Sequence, residues 1–116
     1  MWDGFNKRKF RRLHLNCEIV LRPQGKEKLI KAVTEDVGLG GVSVMLDQPI
    51  ERFHKCQITL DLKDGASPIQ CAGRGVWVVP SRDLRSSKKT YDTGIEFLDL
   101  DELSRQRLQL FLAQSI

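Results

Sequence analysis

Five basic side chains crowd six positions near the start of the chain: Lys7, Arg8, Lys9, Arg11 and Arg12, interrupted only by Phe10. Arg8 and Arg12 stand four apart. A guanidinium is a planar fork of N–H donors that fits phosphate oxygens or the O6/N7 edge of guanine, and its face stacks on a purine. Lys7 and Arg11 offer a competing register at the same spacing, with an ammonium in place of one fork. Taken alone, the run reads more readily as a solvated tail. Further on, the stretch EDVGLGGVSV sets Asp36 ahead of Gly38, Gly40 and Gly41. A carboxylate accepts hydrogen bonds side by side, which suits the adjacent N1 and N2 donors of guanine. The glycines permit positive φ and close backbone approach. By itself this stretch reads as a β-turn opened by an aspartate.

The elements that must position these groups are mostly strands. Leu13, Leu15, Cys17, Ile19 and Leu21 alternate with His14, Asn16 and Glu18, the period of a half-buried strand, and RPQG turns it. Residues 28–35 read as a returning second strand, 42–46 as a third and 56–62 as a fourth. Residues 69–79 form a long fifth strand whose internal glycines imply a bend or bulge. A polar loop, 80–89, leads to a sixth strand over 91–98. Only the end looks helical. With Asp99 or Asp101 as N-cap, Leu103, Leu108, Phe111 and Leu112 share a face and Arg105 and Arg107 turn outward. Six short strands and one amphipathic helix argue an all-β fold: a small six-stranded antiparallel β-barrel with a C-terminal α-helix over an opening. Residues 1–12 are expected to be a flexible basic arm, and 13–116 the barrel with its helix.

Composition narrows the chemistry. At 116 residues the chain fits one domain, and its net charge of +4 is concentrated at the start while residues 92–102 are acidic. That asymmetry favours a local anion site. Cys17, Cys56 and Cys71 are odd in number and contain no Cys-x-x-Cys pair, so buried free thiols are expected and neither disulfides nor a zinc site. His14 and His54 are isolated, and no catalytic triad, paired carboxylates or phosphate loop occurs; neither catalysis nor a cofactor is expected. Aromatic content of 7% argues against a single-stranded nucleic-acid platform. The opening MWDGFNKRKF has no apolar signal core, and no apolar run approaches the ~20 residues of a membrane span, so a cytoplasmic location is expected.

An Arg-x-x-x-Arg element, one hairpin, and then Asp-x-small-x-x-Gly at the next strand junction resembles the PilZ domain, the bacterial receptor module for cyclic di-GMP. The family's signatures are Arg-x-x-x-Arg and [Asp/Asn]-x-Ser-x-x-Gly in that order. GRGVWVV (residues 73–79) is similar to the family's Gly- and Trp-bearing strand, and TGIEFLDL (93–100) to its last strand entering the helix. The resemblance spans roughly residues 7–113. It implies that Arg8 and Arg12 bind phosphates and guanine, that Asp36 reads a guanine edge beside Gly38, and that Gly41 provides the turn. Lys7, Arg11 and Trp77 would be additional contacts, although Trp77 and Phe97 also read as core. It further implies a receptor that closes its arm over cyclic di-GMP and signals through an unidentified partner protein. One position departs: Gly38 replaces the motif serine and removes a hydroxyl, a loss of about 0.5–1.5 kcal/mol, or about two- to tenfold in affinity. That departure leaves a second expectation, a PilZ-like adaptor that does not bind the nucleotide.

Overall fold

Strand periodicity sends alternate side chains inward, and the chain keeps to it through most of its length. In a computed structural model, residues 12–82 and 88–115 are described. The elements are β1 (Arg12–Leu13), β2 (Glu18–Pro23), β3 (Ile30–Gly38), β4 (Gly41–Leu46), β5 (Lys55–Asp61), β6 (Ile69–Arg82), β7 (Lys89–Phe97) and the helix α1 (Glu102–Gln114). β5 shows the rule: Cys56, Ile58 and Leu60 are buried, while Lys55 and Gln57 face solvent. All pairings are antiparallel. The strands run β3-β2-β5-β6-β7-β4, and β4 pairs back onto β3, which closes a six-stranded barrel. Its interior is filled by Ile19, Leu21, Val42, Val44, Ile58, Leu60 and Ile95.

The single strand expected over 13–21 is broken in two. Arg12 and Leu13 pair with Gly38 and Val37, whereas Glu18 pairs with Val33. Four residues, 14–17, therefore face three, 34–36, and the surplus residue makes a bulge. Thr34, fully buried, satisfies the backbone groups this leaves open. Its hydroxyl donates to the Leu15 carbonyl at 2.8 Å and accepts from Cys17 N–H at 2.8 Å. Asn16 Nδ2 donates to the Thr34 carbonyl at 2.9 Å. Alternation alone does not disclose such a break, because the apolar letters keep their period across it. The bulge expected in β6 is present, with the register shifting between Gly75 and Trp77.

β4 and β5 are not neighbours in the barrel, so the chain between them, residues 47–54, crosses one open end. α1 lies at the other end, with Leu108 and Leu112 in the core. Asp101 is the N-cap, its Oδ1 accepting from Ser104 N–H at 2.7 Å, which holds its carboxyl below the usual range. Asp99 instead accepts from Ala72 N–H at 2.6 Å. Two helix expectations change. Leu103 is 70% exposed, because five residues advance a helix about 140° beyond a full turn and take it off the Leu108 face. Arg107 forms a fork on Asp64, Nη2 to Oδ1 and Oδ2 at 2.9 and 3.1 Å, which ties α1 to the β5–β6 turn. The three cysteines are free and buried, as expected. Among the described residues no helix is long and apolar enough to cross a membrane.

Candidate functional site

Residues directly opposed in an antiparallel ladder put their side chains on one face. Asp36 on β3 opposes Ser43 on β4, Ser43 opposes Gly94 on β7, and Gly94 opposes Trp77 on β6. Val42 and Val44 point into the core with no exposed surface, so Ser43 and its row lie on the outer face. The row Asp36–Ser43–Gly94–Trp77 thus crosses four strands, about 14 Å at the usual strand spacing. Gly94 is the low point of this floor. A Cβ there would stand 2.6 Å from the Trp77 ring, so the indole lies across β7 where any larger residue would lift it. Trp77 is half-buried and belongs to this outer face rather than to the core.

Arg12 reaches the same face from β1, beside Gly38. Its guanidinium carbon is 6.0 Å from the centroid of the Trp77 ring, at the outer range of a cation–π contact. Asp36 is oriented from two sides. Its Oδ2 accepts from the Ser43 hydroxyl at 3.1 Å, and its Oδ1 meets His14 Nδ1 at 3.2 Å. The Asp36 side chain is 31% exposed and that of His14 78%, so the carboxylate is held yet reachable and its outer edge is covered by a movable imidazole. On the rim, Glu96 opposes Gly41 and receives a hydrogen bond from Arg74 Nε at 3.0 Å.

The structure therefore gathers Arg12, Asp36, Gly38, Gly41 and Trp77. Lys7, Arg8 and Arg11, with the arm of which they form part, lie outside the described residues. The expected turn over 36–41 is shorter than read: β3 continues to Gly38 and β4 starts at Gly41, so Asp36 is a strand residue. Ser43 and His14 were not anticipated. Ser43 was discoverable, because folding 36–43 as a tight hairpin places it opposite Asp36. Nothing in the spacing marks His14, whose approach to Asp36 depends on the bulge at 14–17. Among the described residues no cluster of His, Cys, Asp or Glu could hold a metal ion. What the face offers is a flat indole under an arginine fork and a carboxylate with a defined acceptor edge. This matches a planar ring with paired N–H donors and an anionic group.

The architecture is a closed antiparallel barrel that carries a fork and a carboxylate on its outer face. The family model of the PilZ domain matches residues 6–114, and the chain belongs to that family, one of cyclic di-GMP receptors and adaptors rather than enzymes. The PilZ domain of YcgR from Escherichia coli, solved with c-di-GMP, is similar at 13% identity and a TM-score of 0.74, over 95% of this chain and 91% of that one. MotI/DgrA, the inhibitor of motility from Bacillus subtilis, is similar at 16% identity and a TM-score of 0.74, over 96% of this chain and 52% of that one. The PilZ domain of CeSA from a cellulose-synthesizing bacterium matches at 16% identity and a TM-score of 0.63, over 91% of this chain and 99% of that one. The chain thus spans about half the length of MotI/DgrA. At these identities the likeness is one of fold. Curated proteins gave no match by sequence.

Proposed function

We propose that this domain is a cyclic di-GMP receptor that binds the dinucleotide on the Asp36–Ser43–Gly94–Trp77 row. The observation that carries the reading is Asp36, fixed by Ser43 within the face that Arg12 and Trp77 share. Arg12 supplies a fork for phosphate or the guanine Hoogsteen edge, and Trp77 a stacking surface. Asp36 accepts from guanine N1 and N2 once His14 swings aside. Arg8, and with it Lys7 and Arg11, would close over the ligand from the arm. Ordering the arm costs chain entropy, which charge-assisted contacts offset. The bound state then acts through a partner protein in the cytoplasm, a compartment in which the three thiols stay reduced.

Calorimetric titration with cyclic di-GMP tests this. Arg12→Ala or Asp36→Ala should weaken binding about ten- to hundredfold, the worth of a charge-assisted hydrogen bond. The melting temperature should hardly change in Arg12→Ala and should fall in Asp36→Ala, which leaves the buried Ser43 hydroxyl without its acceptor. Wild-type affinity in both variants would overturn the assignment. Gly38 and the His14–Asp36 contact favour a second reading, an adaptor without the nucleotide. It takes over if the wild type gives no heat at millimolar ligand.

A further inference from the structure

The barrel end remote from the β3–β4 turn carries a second feature. Residues 47–54 cross that end, and between them and the β2–β3 turn lies a cleft of about 380 Å³. Its floor is apolar, made by Pro23, Ile30, Pro49 and Ile50. Lys26 and Lys28 stand on its rim, and neither is engaged in an ion pair with another described residue. Arg22 and Lys55 flank the far side of the same turn. The acidic residues nearby are Glu27, Asp47 and Glu51, and Glu51 already faces His54 Nδ1 at 3.6 Å. Of the residues that line the trough, two are lysines and one is a glutamate, so its rim is net basic.

The wall is built rather than loose. His54 Nε2 donates to the Gln24 carbonyl at 2.9 Å, which pins the loop to the β2–β3 turn. Phe53 N–H donates to the Gly75 carbonyl at 2.7 Å and Arg52 Nε to the Val76 carbonyl at 3.2 Å, so the loop is also fastened to the β6 bulge. Phe53 sits at φ 68°, where a bulky side chain is strained. Its ring is nevertheless 60% exposed, with the Arg52 guanidinium 4.7 Å from its centroid. Strain that presents an aromatic to solvent does nothing for the core. Phe53 itself stands outside the lining, on the loop that walls the cleft.

We infer that this cleft docks an acidic, aliphatic peptide segment of a partner protein, its apolar side chains on the Ile30–Ile50 floor and its carboxylates on Lys26 and Lys28. The occupant follows from the charge of the rim. A basic segment would meet like charge, and a nucleic acid would find one exposed ring and no stacking array. The site is independent of the nucleotide face, so its failure would leave the receptor reading untouched.

The test uses the full chain and two fluorescein-labelled hexapeptide pools of equal aliphatic content, one interspersed with Asp and Glu, the other with Lys and Arg. Expected is saturable binding of the acidic pool alone, with amide shifts confined to residues 22–30 and 47–55. The Lys26→Glu/Lys28→Glu variant should bind at least tenfold more weakly, and Arg12→Ala should bind as the wild type does. Phe53→Gly, outside the lining, relieves the strained backbone, so the melting temperature should hold or rise while peptide binding stays at the wild-type level. Equal binding of both pools, amide shifts elsewhere, or indifference to the charge reversal would overturn the inference. So would the same amide shifts on raising protein concentration without peptide, which would make a second copy the occupant. A single-stranded oligonucleotide displacing the acidic pool would overturn it as well.

Discussion

At the scale of single residues, the site turns on who holds Asp36. Ser43 and His14 each take one of its oxygens, at 3.1 and 3.2 Å, but they are not equivalent. Ser43 is buried and fixes the carboxylate, whereas His14 is exposed and occupies the edge a guanine would read. An exposed side-chain contact of this kind contributes at most about 0.2–1 kcal/mol. His14→Ala should therefore tighten cyclic di-GMP binding by up to about fivefold, read by calorimetry, while Ser43→Ala should weaken it. Weaker binding in His14→Ala would make the imidazole a ligand contact instead of a competitor. Gly38 supplies a second residue-scale test. It lies in extended β3 opposite Arg12 and is not among the glycines with positive φ, which are Gly25, Gly41 and Gly65. Backbone strain therefore does not oppose a serine there. Gly38→Ser should restore a hydroxyl beside Arg12 and Asp36 and gain about two- to tenfold in affinity at an unchanged melting temperature. A fall in melting temperature without tighter binding would show that the site has no room for it.

At the scale of elements, Gly94 links β7 to the ligand face more tightly than any motif letter implies. A methyl group there would meet three Trp77 ring atoms at 2.6 to 2.7 Å. Gly94→Ala should thus lift the indole, cost about 1–3 kcal/mol by overpacking, and weaken nucleotide binding beyond what the lost stability explains. Denaturant melts and titration on the same sample read both, and unchanged binding would take Trp77 out of the site. The elements themselves were largely readable from the sequence. Each barrel strand buries one set of alternate apolar letters, and that period survives folding at Cys56–Ile58–Leu60 as at Val42–Val44. What the letters could not show is where the period slips. The bulge at 14–17 splits the first strand and brings His14 to Asp36, and it depends on Thr34 satisfying backbone groups across a strand pair. The helix erred for a similar reason: Leu103 is apolar, but its angle to Leu108 places it in solvent. Arg12, Asp36 and Trp77 were legible as types at a spacing. Ser43, His14 and Gly94 enter through register, which only the closed sheet defines.

At the scale of the whole molecule, one barrel separates two surfaces: the face proposed for the nucleotide, on the outside of β3, β4, β7 and β6, and the cleft at the end that residues 47–54 cross. What lies between them is core, and the core carries the three thiols. Burial pushes the Cys56 thiol up to about 11 and the Cys71 thiol to about 12, and it raises Cys17 as well. A raised folded-state value means that the native protein keeps protons the unfolded chain gives up. The stabilisation is then complete below the ordinary thiol value near 9.0 and is lost as pH climbs toward 11 and 12. The urea midpoint should accordingly stay level from about pH 7 to 8.5 and fall by pH 10. Lysine and tyrosine also titrate in that range, so the control is a Cys56→Ala/Cys71→Ala variant. Its midpoint starts lower because two buried side chains are truncated, but it should decline less steeply with pH. Parallel declines in the two proteins would show that the thiols give up their protons alike in the folded and unfolded chain, and that the alkaline transition comes from other groups.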